Sequence, residues 1–369
     1  MTQYIVNVPL LNVRKRIPPQ MPDTDGVTGK VKKNFIFEGQ EVPVEQVEHL
    51  GMDKWYQDTN KNFYWGGGVN ENPASVPNAL TAPSDIINYP QLLGLPGKII
   101  NTAGNDIVVA ILDSGCAVHS ALKDKIVAAY DAMNNTAAPM IDDNSTIGHG
   151  TFVAGLIAAG EATGATMLGM APGVKLIIIR VIEDLEGLDI LNVVKALKWL
   201  RDECPIKPHI INMSFNCVPD GHEGDMDDLI NGFTKGGTVL IAAGQDDAAA
   251  FNDAQIFYPA RHDSVLGVAC VDAITIPGSS PLSTKIQYLS PNITFSSTGM
   301  FDDYVGGFDY KGCSFTAALT SGLFALVLRY LRESGDHSSA SNLVNTLFRN
   351  FDSSNFSNTL NLYKNETPI

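Results

Sequence analysis

The chain is short of basic charge. Its 369 residues carry 25 Lys and Arg against 40 Asp and Glu, a formal net charge of −15. Binding phosphates needs a basic footprint, so no nucleic-acid partner is expected. The acidity reads as a contribution to solubility. Long hydrophobic runs are also missing. No apolar stretch approaches the roughly 20 residues of a membrane-spanning helix, so no membrane insertion is expected. Near the start, Arg14, Lys15 and Arg16 follow a short apolar run instead of preceding it, which is not the pattern of a secretory leader. Cysteine is scarce and odd in number: Cys116, Cys204, Cys217, Cys270 and Cys313. Their spacing matches no metal site, and most sit in or beside strand-like segments, as buried free thiols do. A reducing, cytoplasmic compartment is expected, with a secreted form whose leader has been removed as the alternative.

What is present changes in texture along the chain. Residues 1–68 hold short strand-like runs, Tyr4–Val8, Asn34–Phe37, Glu41–Val44 and Asn62–Trp65, separated by Gly, Pro and Asp turns. No helix-length pattern interrupts them, so a small all-β barrel is the natural closure. Residues 69–84 are Pro-rich with few large apolar groups and read as a linker. From residue 85 to 369, strands alternate with helices. Ile107–Leu112, Val174–Val181, His209–Met213, Thr238–Ala242 and Val265–Val271 are continuous apolar runs, as in strands covered on both faces. Leu191, Val194, Leu197 and Leu200 form a helical stripe. The pattern predicts an α/β fold with a doubly wound parallel sheet.

Three short segments each set one chemically competent side chain among small residues. Asp113 follows an apolar strand and precedes Ser114-Gly115, which places it at a strand's carboxyl end. By itself it is also an ordinary strand-to-loop aspartate. His149 lies in Gly-His-Gly-Thr-Phe-Val-Ala-Gly, at the predicted start of a helix. The helix N-terminus disfavours an imidazolium and a carboxylate favours it, a balance expected to leave a neutral base. Ser314 lies in Gly-Cys-Ser-Phe-Thr-Ala-Ala, ahead of an apolar helical run to about Leu331. A serine there has its own N–H pointing outward, and equally suits a helix cap.

The order Asp113, His149, Ser314 and the flanks of each resemble the subtilisin-like serine proteases, over roughly residues 100–332. Leu11-Asn12-Val13-Arg14, Trp55 and Tyr64-Trp65-Gly66-Gly67-Gly68 resemble a bacterial SH3-like domain over residues 1–68. The first resemblance implies a peptide or protein substrate and an acyl-enzyme: Ser314 attacks, His149 transfers the proton and Asp113 orients His149. It implies that Ser214, Phe215 and Asn216, after Ile210-Ile211-Asn212-Met213, line a groove that pairs with extended substrate. It further implies that the residue after Ala243-Gly244 donates an amide to the oxyanion, beside the Ser314 N–H. The family has Asn there; this chain has Gln245. It also has Cys313, Phe315, Thr316 and Leu319 where Gly-Thr-Ser-Met-Ala-(Ala/Ser)-Pro is usual. Phe257, ahead of Tyr258-Pro259-Ala260, would floor a shallow pocket for small or medium side chains, whereas Asp246 and Asp247 at its rim would attract a basic one.

No cofactor is required by this chemistry. The family often binds structural calcium, but neither Asp142-Asp143-Asn144 nor Asp220–Asp228 with His222 has a defined calcium-loop spacing, so both read as solvated acidic loops. The rival reading is a subtilase-fold scaffold that captures peptides without efficient cleavage. For residues 1–68, a module binding a peptide or cell-wall ligand stands beside a folding or inhibitory segment.

Overall fold

The first 84 residues lack helical periodicity, and among their described residues the computed structural model has strands only. These are β1 (Thr2–Val6), β2 (Leu10–Arg14), β3 (Val27–Lys32), β4 (Ile36–Glu41), β5 (Trp55–Asp58), β6 (Phe63–Trp65) and β7 (Val69–Glu71). They form one antiparallel sheet in the order β3-β2-β6-β5-β4-β1-β7. Two expected strands, near Phe37 and near Glu41, are one: Gly39 pairs with Thr2 on one side and Asp58 on the other, which leaves no turn between them. Val69–Glu71, expected to open the linker, pairs instead with β1. The β5–β6 turn is closed by Asp58, which accepts from the Asn60 and Asn62 backbone and from the Tyr64 hydroxyl.

The structure describes residues 2–6, 10–14, 27–32, 36–42, 55–65, 69–71, 86–183, 188–217, 221–246, 256–271, 285–291, 294–306, 310–335 and 363–364. Most of the expected linker, Gly66–Gly68, Asp220, Asp247 and part of the Glu41–Val44 run lie outside them.

Residues 85–369 form a second unit. In chain order its elements are β8 (Ile87–Asn88), α1 (Tyr89–Leu92), α2 (Gly97–Ile100), β9 (Val108–Asp113), β10 (Ile126–Asp131), β11 (Thr136–Ala138), α3 (His149–Ala158), β12 (Met167–Leu168), β13 (Lys175–Arg180), α4 (Ile190–Asp202), β14 (Ile210–Met213), α5 (Glu223–Lys235), β15 (Val239–Asp246), β16 (Leu266–Val271), β17 (Ile286–Pro291), β18 (Ser296–Thr298), β19 (Tyr304–Gly306), α6 (Cys313–Ser334) and β20 (Tyr363–Lys364). Among the described residues the main sheet has nine strands in the order β11-β10-β13-β9-β14-β15-β16-β17-β20. Pairing from β10 to β17 is parallel, and the two edge strands are antiparallel. The sheet is therefore mostly parallel, and its short antiparallel edges carried no apolar signal in the sequence.

Side chains alternate between two cores, as a period of two requires. Val109, Ile111, Ile178, Ile210 and Ile241 face α3 and α6. Ala110, Leu112, Ile177, Ile179, Ile211 and Met213 face α4 and α5. The strand order reverses between β9 and β14, which opens a crevice at the carboxyl ends of those strands.

Against expectation, one helix among the described residues is long and apolar enough by length and composition to cross a membrane. This is α6, and it is largely buried within this unit. A helix surrounded by protein is apolar on nearly all sides, which gives it that composition.

Both α3 and β18 are drawn close by Gly155. A Cβ built there would sit 2.2 Å from Thr298 Oγ1 and 2.3 Å from Ser297 Oγ. Those hydroxyls donate to the Thr151 and Phe152 carbonyls at 2.7 Å. Gly155→Ala is expected to cost about 1–3 kcal/mol by overpacking. Urea unfolding checks this, and an unchanged midpoint would contradict it.

Candidate active site

Asp113 ends β9 beside the crevice and is buried. Its Oδ1 accepts from the Ser114 N–H at 2.8 Å and from His149 Nδ1 at 2.7 Å. Its Oδ2 is buried without a hydrogen-bond partner among the described residues. Compensation for this buried carboxylate therefore rests on one oxygen and on His149, since a buried charge is tolerated only when paired.

His149 opens α3, a helix whose ten residues are all buried. Gly148 precedes it in the left-handed region, at φ 71°, and provides no side-chain cap. The freed N–H groups of the first turn bond outside the helix. His149 N–H donates to Ser145 Oγ at 2.8 Å, Gly150 N–H to Ser114 Oγ at 2.9 Å, and Thr151 N–H to Asp143 Oδ2 at 2.8 Å. Burial pulls the His149 imidazolium toward neutrality, but the Asp113 carboxylate, through charge and hydrogen bond, and the Asp143 charge more than offset it. The net direction is a pKa above the ordinary 6.5. The helix terminus and carboxylate were expected to balance at a neutral base; in the structure the carboxylates prevail. With Nδ1–H held by Asp113, Nε2 is the nitrogen left to exchange a proton.

Ser314 is the second residue of α6 and is half-buried between buried Cys313 and Phe315. Gly312 before it adopts φ 124°, a value that favours glycine. At this position the Ser314 N–H has no intrahelical acceptor. Its hydroxyl donates to the Ser214 carbonyl at 2.9 Å, while the Ser214 hydroxyl donates to the Ser314 carbonyl at 2.8 Å. Asn212 Nδ2 donates to Ser214 Oγ at 2.9 Å, and Ser321 Oγ donates to Asn212 Oδ1 at 3.0 Å. This network ties the end of β14 to the first turns of α6. The structure records no hydrogen bond between Ser314 and His149. Their link is Phe315, whose ring centroid lies 5.4 Å from that of His149.

Ser214 and Phe215 are both buried, and the Phe215 ring belongs to the core on the α4–α5 side. What this segment can offer a bound chain is therefore backbone, together with exposed Asn216. Ala243 and Gly244 are buried in β15, followed by Gln245, whose backbone continues the strand and whose side chain lies outside the described residues. Between Ala243 and Asp246 the register with β16 shifts, so Gly244-Gln245 sits in a bulge, a device that re-aims a side chain. Cys217 bridges to Tyr258, its N–H donating to the Tyr258 carbonyl at 2.8 Å, which brings half-buried Phe257 beside the Ser214–Cys217 segment. Among the described residues, no three His, Cys, Asp or Glu side chains are grouped to hold a metal ion.

Sequence reasoning gave Ser114 and Ser145 no role and read Asp143 as part of a solvated acidic loop. The available signal was polar side chains just ahead of a helix that has glycine at its cap position. Asn212 and Ser321 were missed because their partners come from distant segments.

A family model described as the subtilase family matches residues 104–363. The chain is 28% identical over 223 residues to a thermophilic serine proteinase of a Bacillus species, covering 59% of this chain and 51% of that protein. It is 28% identical over 235 residues to the major intracellular serine protease of Bacillus subtilis, covering 63% and 71%. It thus spans about half the length of the first relative and more of the second. Among solved structures, fervidolysin from Fervidobacterium pennivorans, described as a keratinolytic enzyme related to subtilisin, aligns with a TM-score of 0.54 at 21% identity, covering 72% of this chain and 44% of that one. A likeness at that identity speaks for the fold.

The geometry sets an expectation for His149. Imidazole NMR should show it titrating above 6.5, and well below its parent value in Asp113→Asn, where the principal opposing charge is gone. Titration at or below 6.5 in the parent would contradict the balance described.

Proposed function

The chain belongs to the subtilase family of serine endopeptidases, and on that premise we propose that it hydrolyses peptide bonds through an acyl-enzyme formed on Ser314. The observation that supports this most is the buried 2.7 Å bond between Asp113 and His149 beside the helix that begins at Cys313. In this reading the Ser314 hydroxyl turns from the Ser214 carbonyl to His149 Nε2. His149 takes its proton as Ser314 attacks, and returns it to the leaving amine. Asp113 keeps Nδ1–H in place and stabilises the imidazolium. Water then attacks the acyl carbon as His149 takes its proton, and His149 returns that proton to Ser314 Oγ as the acyl–Oγ bond breaks. The Ser314 N–H and the Gln245 amide hold the oxyanion. The bulge at Gly244-Gln245 supports the second donor, because a longer side chain needs a different aim from asparagine's.

Substrate, a peptide or protein, lies extended along the Ser214–Asn216 and Ala243–Gly244 backbones, with Phe257 flooring the pocket before the cut. The odd number of cysteines, all five of them buried, supports a reducing compartment. Residues 1–68 are read as an SH3-like barrel, with Val69–Glu71 paired to β1 and the linker following it, a separate module for a peptide or cell-wall ligand. The antiparallel sheet of the described strands supports that reading. The scaffold alternative draws support from Gln245 and from the Ser314 hydroxyl being bonded to Ser214.

A fluorophosphonate probe separates the two. Labelling of the intact chain, lost in Ser314→Ala, is the expected result; an unlabelled but folded chain means a scaffold. Gln245→Ala is expected to lower kcat by about 10²–10³, the cost measured for removing such a donor in a member of this same family. An unchanged kcat removes Gln245 from the site. For specificity, peptide-library profiling should show small or medium side chains preferred before the cut, and Phe257→Gly should admit aromatic ones. Equal turnover of both classes by the parent would exclude a shallow pocket.

A further inference from the structure

Asp143 was the middle of an acidic run that read as a solvated loop, yet its carboxylate is a convergence point. Oδ1 accepts from Ser114 Oγ and from Ser145 Oγ, each at 2.8 Å. Oδ2 accepts from the Thr151 N–H at 2.8 Å and from the Thr151 hydroxyl at 2.7 Å. Ser114 Oγ in turn accepts from the Gly150 N–H, and Ser145 Oγ from the His149 N–H. The N–H groups of His149, Gly150 and Thr151 therefore all end on Asp143, directly or through one hydroxyl. A negative charge there also meets the positive end of the α3 dipole.

The same carboxylate grips the other half of the pair. Ser114 is covalently next to Asp113, and Thr151 Oγ1 accepts from the Ala117 N–H at 2.9 Å. The backbone reinforces the contact. Cys116 N–H donates to the Ile141 carbonyl at 2.9 Å. Cβ atoms at Gly115 and Gly150 would each lie 2.2 Å from a carbonyl oxygen, of Asp142 and Gly115 respectively. Three segments thus meet with no room to spare, and Asp143 is the charged group at their junction.

We propose that Asp143 is a positioning residue for the reaction, fixing the loop that carries Asp113 against the helix turn that carries His149. This rests on the endopeptidase reading above, and it adds a second carboxylate that acts through others without touching substrate. Its charge also acts on His149 alongside that of Asp113. Facing His149 from α6 is the uncharged Phe315 ring. Thr298 and Ser297 of β18 carry no charge, and neither does Met300, which packs on Gly148.

The test uses the full chain with Asp143→Asn and, separately, Ser145→Ala, which cuts the relay from the His149 N–H and the 3.2 Å contact with Ser114 Oγ while leaving the Asp143 bonds to Ser114 and Thr151. For Asp143→Asn, kcat should fall roughly tenfold to a hundredfold, the scale of misplacing a catalytic group by about 1 Å, with KM close to the parent's. Imidazole NMR in a Ser314→Ala background should show His149 titrating lower than in the same background with Asp143. Ser145→Ala should lower kcat to a smaller extent with Tm nearly unchanged, and it decides the matter if Asp143→Asn does not fold. Parent-like kcat and parent-like His149 titration in Asp143→Asn, or parent-like kcat in Ser145→Ala, would overturn the proposal. If the parent takes no fluorophosphonate label, the endopeptidase reading fails instead, and the His149 titration alone decides the role of Asp143.

Discussion

The hydrogen bond between Asp113 and His149 is the constraint on which the rest of the site depends. Both groups are buried, and an ionised carboxylate is costly in such a setting unless paired. The fold meets that cost with geometry. The parallel sheet delivers Asp113 to the end of β9, at the reversal of strand order where side chains from different strands converge. Glycines at positions 115 and 150 let the Asp113 loop and the α3 terminus approach to backbone contact. The histidine is held from both directions, through its ring by Asp113 and through its main chain by Ser145.

The Ser314 half is organised differently. Its anchor is neutral: Ser214 and Ser314 exchange hydroxyl-to-carbonyl bonds, backed by Asn212 and Ser321. Neutral hydroxyl bonds are modest in net free energy, so in the proposed reaction the Ser314 hydroxyl leaves the Ser214 carbonyl at small cost when substrate arrives. The aromatic cluster around Phe315 gives the His149 ring a wall that fixes its plane. Phe315 packs against Phe152, Phe295 and Tyr310 in tilted and edge-on contacts, joining α3 to α6. The charged, rigid pair and the neutral, releasable nucleophile suit a base that stays in place and a hydroxyl that turns.

Much of this architecture was legible in the sequence, for physical reasons. The β-branched runs at Ile107–Leu112 and Val174–Val181 announced buried parallel strands, and Gly-His-Gly-Thr announced a helix that starts against other backbone. The family order of Asp113, His149 and Ser314 named the segments. What could not be read were interactions between segments far apart in the chain. Asn212 with Ser321 is one case. Asp143, which looks like any acidic loop residue until Ser114 and Thr151 are brought to it, is another. The helical run to about Leu331 was legible, but its membrane-span length and composition were not, because scattered polar residues such as Thr320 and Ser321 break it by eye. These hydroxyls are buried and bond back to the carbonyls of Thr316 and Ala317 in the same helix.

In the proposed reaction Ser314 forms a covalent acyl intermediate with His149 as its proton acceptor. Pre-steady-state hydrolysis of an activated ester, with peptide mass spectrometry of the quenched protein, addresses it most directly. The expected result is a burst stoichiometric with protein, with the acyl group on the peptide containing Ser314, both lost in His149→Ala. A folded parent that gives no burst, or that carries the acyl group elsewhere, would contradict it.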